Sequence, residues 1–170
     1  MVASELYNRR AWQWAVKAGG SSDDSGGGIA VDSSGNAYVT GYFAGTVNFV
    51  SNYLSSNGYD DIFVAKLSSS GVWQWAVKAG GSNYDYGEGI AVDSSGNVYV
   101  TGGFGGTATF GSTSLTSSEY RDDIFVAKLS NIGAWQCAVK AGGSSDDRGR
   151  GIAVDSSGNA YITEYFAETA

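Results

Sequence analysis

Short runs of β-branched and aromatic residues alternate along the chain with segments rich in Gly and Ser. In the middle of the sequence these runs cover residues 90–93, 98–102, 123–129 and 135–140. The first two runs flank Ser-Ser-Gly-Asn at 94–97, and this connection offers Gly and Asn where a tight turn needs positive φ. The last two flank Ser-Asn-Ile-Gly at 130–133. The pattern predicts two β-hairpins, whose strands are labelled A, B, C and D in chain order.

The predicted strands are almost continuously apolar where a half-exposed strand would alternate, as in Ile-Phe-Val-Ala at 124–127. Such runs indicate sheets that are covered on both faces. Residues 107–110 predict a short extra strand between B and C. The chain has 26 Gly, and together with the Ser-rich turns they break every candidate helix. We therefore expect an all-β fold.

The chain repeats itself three times. The nonapeptide Gly-Ile-Ala-Val-Asp-Ser-Ser-Gly-Asn begins at Gly28, Gly89 and Gly151, at offsets of 61 (89 − 28) and 62 (151 − 89) residues. Four antiparallel strands per unit at this period are typical of a β-propeller blade. We predict one domain over 1–170, half of a β-propeller with three four-stranded antiparallel blades. Its repeats cover approximately 1–59, 60–121 and 122–170, each in strand order C-D-A-B.

Residues 89–102, Gly-Ile-Ala-Val-Asp-Ser-Ser-Gly-Asn-Val-Tyr-Val-Thr-Gly, resemble the core of NHL-type propeller repeats. With Asp-Asp-Ile-Phe-Val-Ala-Lys-Leu at 122–129 and Trp-Gln-Trp-Ala-Val-Lys-Ala-Gly-Gly at 73–81 added, the unit resembles the bacterial SBBP repeat, named for seven-bladed propellers. This resemblance implies propeller architecture and secreted or cell-surface parent proteins.

Three blades are too few to close a propeller, because closed rings have roughly 4 to 8. Two chains would supply six, so the predicted partner is a second copy in a homodimer. Met1 to Leu6 is read as strand C and residues 160–166 as strand B, which would pair across the subunit boundary. Val2 and Leu6 are expected where Val64 and Leu67 stand in an intact repeat, with a bulge for one extra residue.

Composition narrows the function classes. The formal net charge is −7 without a basic run, so neither nucleic acid nor a membrane surface is an expected partner. No His and only one Cys are present, so we expect no enzyme, no cofactor and no metal site. Residues 1–10 lack the apolar core of a signal peptide and no run is long enough for a membrane span, which predicts a soluble chain without indicating its compartment.

Tryptophans two residues apart point to one face of strand D. We predict that they pack between blades, with Cys137 replacing the second ring in the third copy. The residues concerned are Trp12, Trp14, Trp73, Trp75 and Trp135. The alternative is sugar stacking, as in a multivalent, lectin-like carbohydrate-binding propeller.

The loops between strands D and A differ among the copies, and loops carry recognition. Tyr86, Glu88, Arg148 and Arg150 are therefore the candidate residues for a glycan or protein ligand. The recurrent Asp residues leave a third hypothesis, an acid-dependent glycoside hydrolase. Near identity of the copies is typical of recent duplication or engineered consensus repeats. We favour a non-catalytic scaffold or interaction module that self-assembles by exchanged-strand blade closure.

Overall fold

The structure, a computed structural model, describes residues 1–7, 11–49, 52–119 and 121–167, with backbone alone for 2–7 and 11. These ranges contain no helix, and so none that could cross a membrane. The strands are β1 (Val2–Tyr7), β2 (Ala11–Lys17), β3 (Asp24–Val31), β4 (Ala37–Phe49), β5 (Asn52–Leu67), β6 (Trp73–Gly81), β7 (Asp85–Val92), β8 (Val98–Gly105), β9 (Thr107–Phe110), β10 (Thr113–Thr116), β11 (Asp122–Leu129), β12 (Trp135–Ala141), β13 (Arg148–Val154) and β14 (Ala160–Tyr165).

Two four-stranded antiparallel units lie in the middle of the chain. Unit I has the order β3-β4-β5-β6, and unit II has the order β7-β8-β11-β12. A two-stranded N-terminal half unit, β1–β2, precedes them, and a two-stranded C-terminal half unit, β13–β14, follows. In the predicted labels both units read A-B-C-D, while the half units are C–D and A–B. The all-β, antiparallel architecture expected from the repeat is confirmed.

A hairpin inserted between strands B and C ties each unit to the one before it. In unit II this hairpin is β9–β10, and β9 covers the predicted extra strand. It pairs with the end of β6 through Gly80↔Thr109 and Gly81↔Ala108. In unit I the end of β4 and the start of β5 form the equivalent hairpin. This hairpin pairs with the segment that follows β2 through a Gly19↔Asn48 bridge.

The register of the first hairpin corrects one expectation. Val2 pairs with Lys17 as Phe63 pairs with Lys78, and Leu6 pairs with Trp12. Val2 therefore stands at the place of Phe63 and not of Val64. The two hairpins shift register at the same step, and no extra residue is present, because the offset of 61 residues holds throughout this segment.

The A–B turns show why the repeat keeps Asp and Gly. The Asp32 carboxylate accepts hydrogen bonds from the backbone N–H groups of Ser34 and Asn36, each at 2.9 Å. Gly35 has φ +79°, a conformation that side chains with a Cβ rarely adopt. The same contacts recur at Asp93 and Asp155. These carboxylates hold the turn in shape.

The core lies between successive sheets. One buried cluster joins Tyr38 and Val64 of unit I to Val98, Val100 and Phe125 of unit II, together with further residues of both units. A second cluster lies between unit I and β2, where Trp14 and Val16 cover it. Unit I therefore packs face to face with unit II on one side and with β2 on the other, as expected from the apolar runs.

Candidate functional site

The variable loops meet where one unit faces the next. At the first junction the middle parts of β4 and β5 in unit I lie beside the loop before β7 and the start of β7. At the second junction the start of β11 in unit II lies beside the loop before β13 and the start of β13. The two junctions occupy equivalent places in the repeat but differ in chemistry.

Four tyrosines form a continuous row at the first junction. The rings of Tyr59 and Tyr84 are stacked, with centroids 4.7 Å apart and planes at 11°. Tyr84 continues to Tyr86 at 6.2 Å, and Tyr42 meets Tyr86 edge to face at 5.0 Å. Stacked and edge-to-face pairs at these distances are favourable arrangements of aromatic rings. The row joins unit I to unit II.

An open cleft of about 580 Å³ lies beside this row. We call it the first-junction cleft; its lining residues are Ser22, Asp23, Tyr42, Ala44, Gly45, Gly58, Tyr59, Asp60 and Tyr84. Three phenol rings and two carboxylates face it, and no Lys or Arg is among these lining residues. Tyr59 and Tyr84 are exposed, so their rings are accessible to a ligand.

The electrostatic environment of the first-junction cleft is negative. Burial raises the pKa of Asp60, and the charges of Asp23 and Asp61 add to this effect, while a hydrogen bond from Tyr86 opposes it. Burial raises the pKa of Tyr86 to about 12, with a further contribution from Asp60. Burial and the neighbouring carboxylates thus both disfavour the charged form of Asp60.

Ion pairs replace the aromatic contacts at the second junction. The Arg148 guanidinium donates to Asp122 at 2.6 Å, and Arg121 lies 3.7 Å from Asp146. By the repeat offset of 62, Arg121 corresponds to Tyr59, Asp146 to Tyr84, and Arg148 to Tyr86. Gly103 stands where unit I has Tyr42, and a Cβ there would come within 3.0 Å of the Arg148 side chain.

The four residues predicted as ligand candidates come together, although they lie on strands β7 and β13 and not in the D–A loops where they were expected. Tyr86, Glu88, Arg148 and Arg150 line one cleft of about 420 Å³ with Tyr42. The Arg148 guanidinium lies over the Tyr86 ring at 4.7 Å, and Arg150 donates to Glu88 at 2.8 Å. Their polar groups contact each other, so much of their binding capacity is already used within the chain.

Sequence reasoning missed the first-junction cleft. Its signal is nevertheless present, because Gly103, Arg121 and Asp146 stand in the following repeat at the places of Tyr42, Tyr59 and Tyr84. Variation at single positions was visible in the sequence. That Tyr59 and Tyr84, 25 residues apart, would stack on each other was not.

A buried pair of carboxylates lies beneath the loops. Asp61 contacts the Lys78 ammonium at 3.1 Å, and Asp85 accepts a hydrogen bond from the Gly81 N–H at 2.7 Å. Burial raises the pKa of Asp85 to about 7 and that of Asp61 above its usual range. The Lys–Asp contact recurs between Lys140 and Asp123 at 2.6 Å. Recurrence in successive units favours a structural role over catalysis.

The tryptophans fall into three groups. Trp73 packs on Phe49 and Trp135 on Phe110, both edge to face. Trp14 and Trp75 each donate to a carbonyl in the C–D turn of the following unit, Ser69 and Asn131 respectively. Trp12 is 64% exposed, and within the described part of the chain no Phe packs on it as Phe49 packs on Trp73. Its predicted packing role remains a prediction.

Within the described ranges, no three His, Cys, Asp or Glu side chains cluster closely enough to hold a metal ion. Cys137 is a free, exposed thiol.

Antiparallel four-stranded units that repeat along the chain are the arrangement of a β-propeller repeat protein. The sequence profile of the SBBP family, described as a β-propeller repeat, matches residues 13–42, 74–102 and 139–163. Each match begins in strand D and ends in strand B. No curated protein matches the chain. Three segments of the chain therefore match the SBBP β-propeller repeat, and the resemblance to that repeat seen in the sequence is confirmed.

Proposed function

We propose that the protein is a non-catalytic propeller scaffold, and that two copies close into one six-bladed ring. The observation that carries this proposal is the exposure of strand B in the C-terminal half unit. Tyr161 is 60% exposed, whereas its equivalents Tyr38 and Tyr99 are 0% and 4% exposed. A strand whose sequence suits burial is thus left open in the single chain.

The two half units are complementary. β1–β2 supplies strands C and D and lacks A and B, whereas β13–β14 supplies A and B and lacks C and D. Within unit I, strand B pairs with both A and C. Pairing β14 of one copy with β1 of another restores this order, and it also removes free sheet edges, which otherwise promote uncontrolled association.

An apolar face at the other end of the chain fits the same partner. Ile29 and Val31 on strand A of unit I are 59% and 60% exposed, although the equivalent Ile90 is 7% exposed. Ile90 is covered by unit I, and the matching cover for Ile29 would be strands A and B of a preceding unit. The partner's C-terminal half unit provides those strands. Covering large apolar side chains is the main driving force for such association.

The acidic groups support a scaffold rather than an enzyme. Asp32, Asp93 and Asp155 hold turns, while Asp61 and Asp123 pair with lysines. Each of these arrangements occurs in more than one repeat, whereas catalysis needs a distinct acid and base in one site. We expect no turnover of glycosides at any pH.

The proposed pairing of β14 with β1 of a second copy is tested by placing a charged residue on β14. Tyr161→Asp should shift the particle from about 35 kDa, twice the chain mass of 17.6 kDa, to 17.6 kDa in light scattering, because a carboxylate cannot be buried unpaired at a sheet interface. Tyr53→Asp is the matched control, since Tyr53 is 69% exposed on the B–C hairpin of unit I. It should leave the mass unchanged. Equal masses for the two variants would overturn the proposal.

A further inference from the structure

We propose that the first-junction cleft binds an organic cation, a ligand that presents a guanidinium or ammonium group. This goes beyond the scaffold role, because the cleft is built within one chain and does not need the second copy. Its lining comes from the loop before β3, from unit I and from the loop before β7.

The charge of the cleft selects a cation. Asp23 and Asp60 are its two charged lining groups, and both are acidic. Lys78, on β6, pairs with the neighbouring Asp61 and not with the cleft: its ammonium contacts Asp61, Asn57 and the Ser55 carbonyl. Asp60 receives a hydrogen bond from Tyr86, and among the described residues no Lys or Arg forms an ion pair with it. An incoming cation would compensate both carboxylates.

The rings of the cleft select an organic cation over a metal ion. Two carboxylates are too few for a calcium site, which takes 6 to 8 oxygen ligands. Tyr42, Tyr59 and Tyr84 instead present phenol rings, and a cation within about 6 Å of such a ring is attracted by its negative face. Tyr84 is stacked on both Tyr59 and Tyr86, so the ring offered to a ligand is that of the exposed Tyr59, at the end of the row.

At the second junction a guanidinium of the chain itself occupies the kind of site that we propose for the ligand. There Asp122, equivalent to Asp60, holds the Arg148 guanidinium at 2.6 Å, and that guanidinium also lies 4.7 Å from the centre of the Tyr86 ring. Arg121 lies beside Asp146. The fold therefore accommodates arginine at these two positions, and the first junction has Tyr59 and Tyr86 in their place. A guanidinium between a carboxylate and a tyrosine ring is the arrangement expected for the external ligand.

The test is a titration of the full chain with agmatine, a small guanidinium amine, followed by calorimetry and by NMR signals of the tyrosine rings. We expect one site per chain with a Kd on the order of 1 mM, typical of one ion pair plus ring contacts on a small ligand. Asp60→Asn should weaken binding about tenfold, and Tyr59→Leu should weaken it about fivefold. Circular dichroism of each variant checks that the fold is retained.

The matched control is Asp146→Asn, a neutralised carboxylate of the second junction, which should leave agmatine affinity within twofold of the wild type. N-acetylglucosamine and galactose are titrated in parallel, because sugars also stack on tyrosine. Saturable sugar binding that requires Tyr59, without agmatine binding, would overturn the proposal in favour of a lectin. Agmatine binding that is unchanged by Asp60→Asn would overturn it as non-specific. Both readouts are independent of the dimer, so failure here leaves the scaffold proposal standing.

Discussion

Strands β4 and β14 have related sequences but different surroundings. In β4, Tyr38 is fully buried, with the Trp75 ring 6.2 Å away and the Lys66 ammonium over its own ring. In β14, Tyr161 keeps its hydrogen bond to Asp155, at 3.2 Å, but is otherwise mostly exposed. The turn is thus formed by local sequence alone, whereas burial requires a neighbouring pair of strands. In repeat proteins stability comes largely from such interfaces.

The sharpest contrast between covered and uncovered copies is that of Trp73 and Trp12. Trp73 packs edge to face on Phe49 at 5.0 Å, so Trp73→Ala should lower the free energy of unfolding by about 3–5 kcal/mol. Trp12→Ala should cost about 0.5 kcal/mol or less, because an exposed side chain has little burial to lose. Chemical denaturation measures both. Similar losses for the two variants would show that Trp12 is buried in the assembled protein.

The buried carboxylate predicts how stability depends on pH. Burial raises the pKa of Asp85 from 3.8 to about 7 in the folded chain. Between these values the folded state keeps a proton that the unfolded state has lost. The protonated Asp85 therefore contributes to the free energy of unfolding in full below pH 3.8. This contribution, about 4 kcal/mol, is lost as the pH rises to about 7. Asp85→Asn should flatten the pH profile of the unfolding free energy between pH 4 and 7. An unchanged slope would contradict the raised pKa.

A substitution of Cys137, at the proposed subunit boundary, is expected to have a smaller effect, on the affinity of the dimer. Trp14 and Trp75 fit against the following C–D turns because Gly71 and Gly133 have no side chain; a Cβ there would lie 2.8 and 2.9 Å from the rings. In the first copy, Arg10 is aligned with Gly71 and Gly133; Arg10 lies outside the described residues. In the proposed ring, Cys137 faces the partner's first C–D turn.

Cys137→Trp should therefore weaken the dimer about tenfold, an effect typical of overpacking by about 1.4 kcal/mol. Adding Arg10→Gly to Cys137→Trp should restore the affinity. Sedimentation across a concentration series provides the dissociation constants. If Cys137→Trp alone tightens the dimer, the proposed contact between Cys137 and that turn is wrong.

The smallest expected effect concerns the exposed ion pair of the second junction. Arg121 and Asp146 are 3.7 Å apart and largely solvent-exposed, so Arg121→Ala should change the unfolding free energy by about 0.5 kcal/mol or less. Tyr59→Ala at the first junction should cost more, because it removes a stacked ring. Thermal unfolding of the two variants compares the junctions. The reverse order would mean that the ionic junction is the stronger link.

The strands could be predicted because their signals are local and repeated. Hairpin turns bounded A, B, C and D, and residues 107–110 were read as a strand without knowledge of their partner. The pairing of β9 with β6 could not be predicted, because it depends on how two units approach each other. The predicted register of Val2 was wrong for a simpler reason. Val2 was aligned with Val64 because the two residues are of the same type, whereas the backbone pairing follows the repeat offset of 61 residues and places Val2 with Phe63.

The candidate site was only partly predictable. Variation between repeats pointed to residues that do come together, including Tyr86 and Arg148, but these lie in strands β7 and β13 and not in the D–A loops where they were expected. It did not show that Arg148 is held by Asp122, or that Tyr59 and Tyr84 stack. Such contacts join different units, and a repeat alignment compares units without showing how they face each other.

The molar mass of the 170-residue chain in solution tests the central claim most directly. Light scattering coupled to size-exclusion chromatography should give about 35 kDa, twice the 17.6 kDa chain, because the two half units complete each other only when two copies meet. A compact, stable particle of 17.6 kDa, with Tyr161 and Ile29 still exposed, would contradict the exchanged-strand ring.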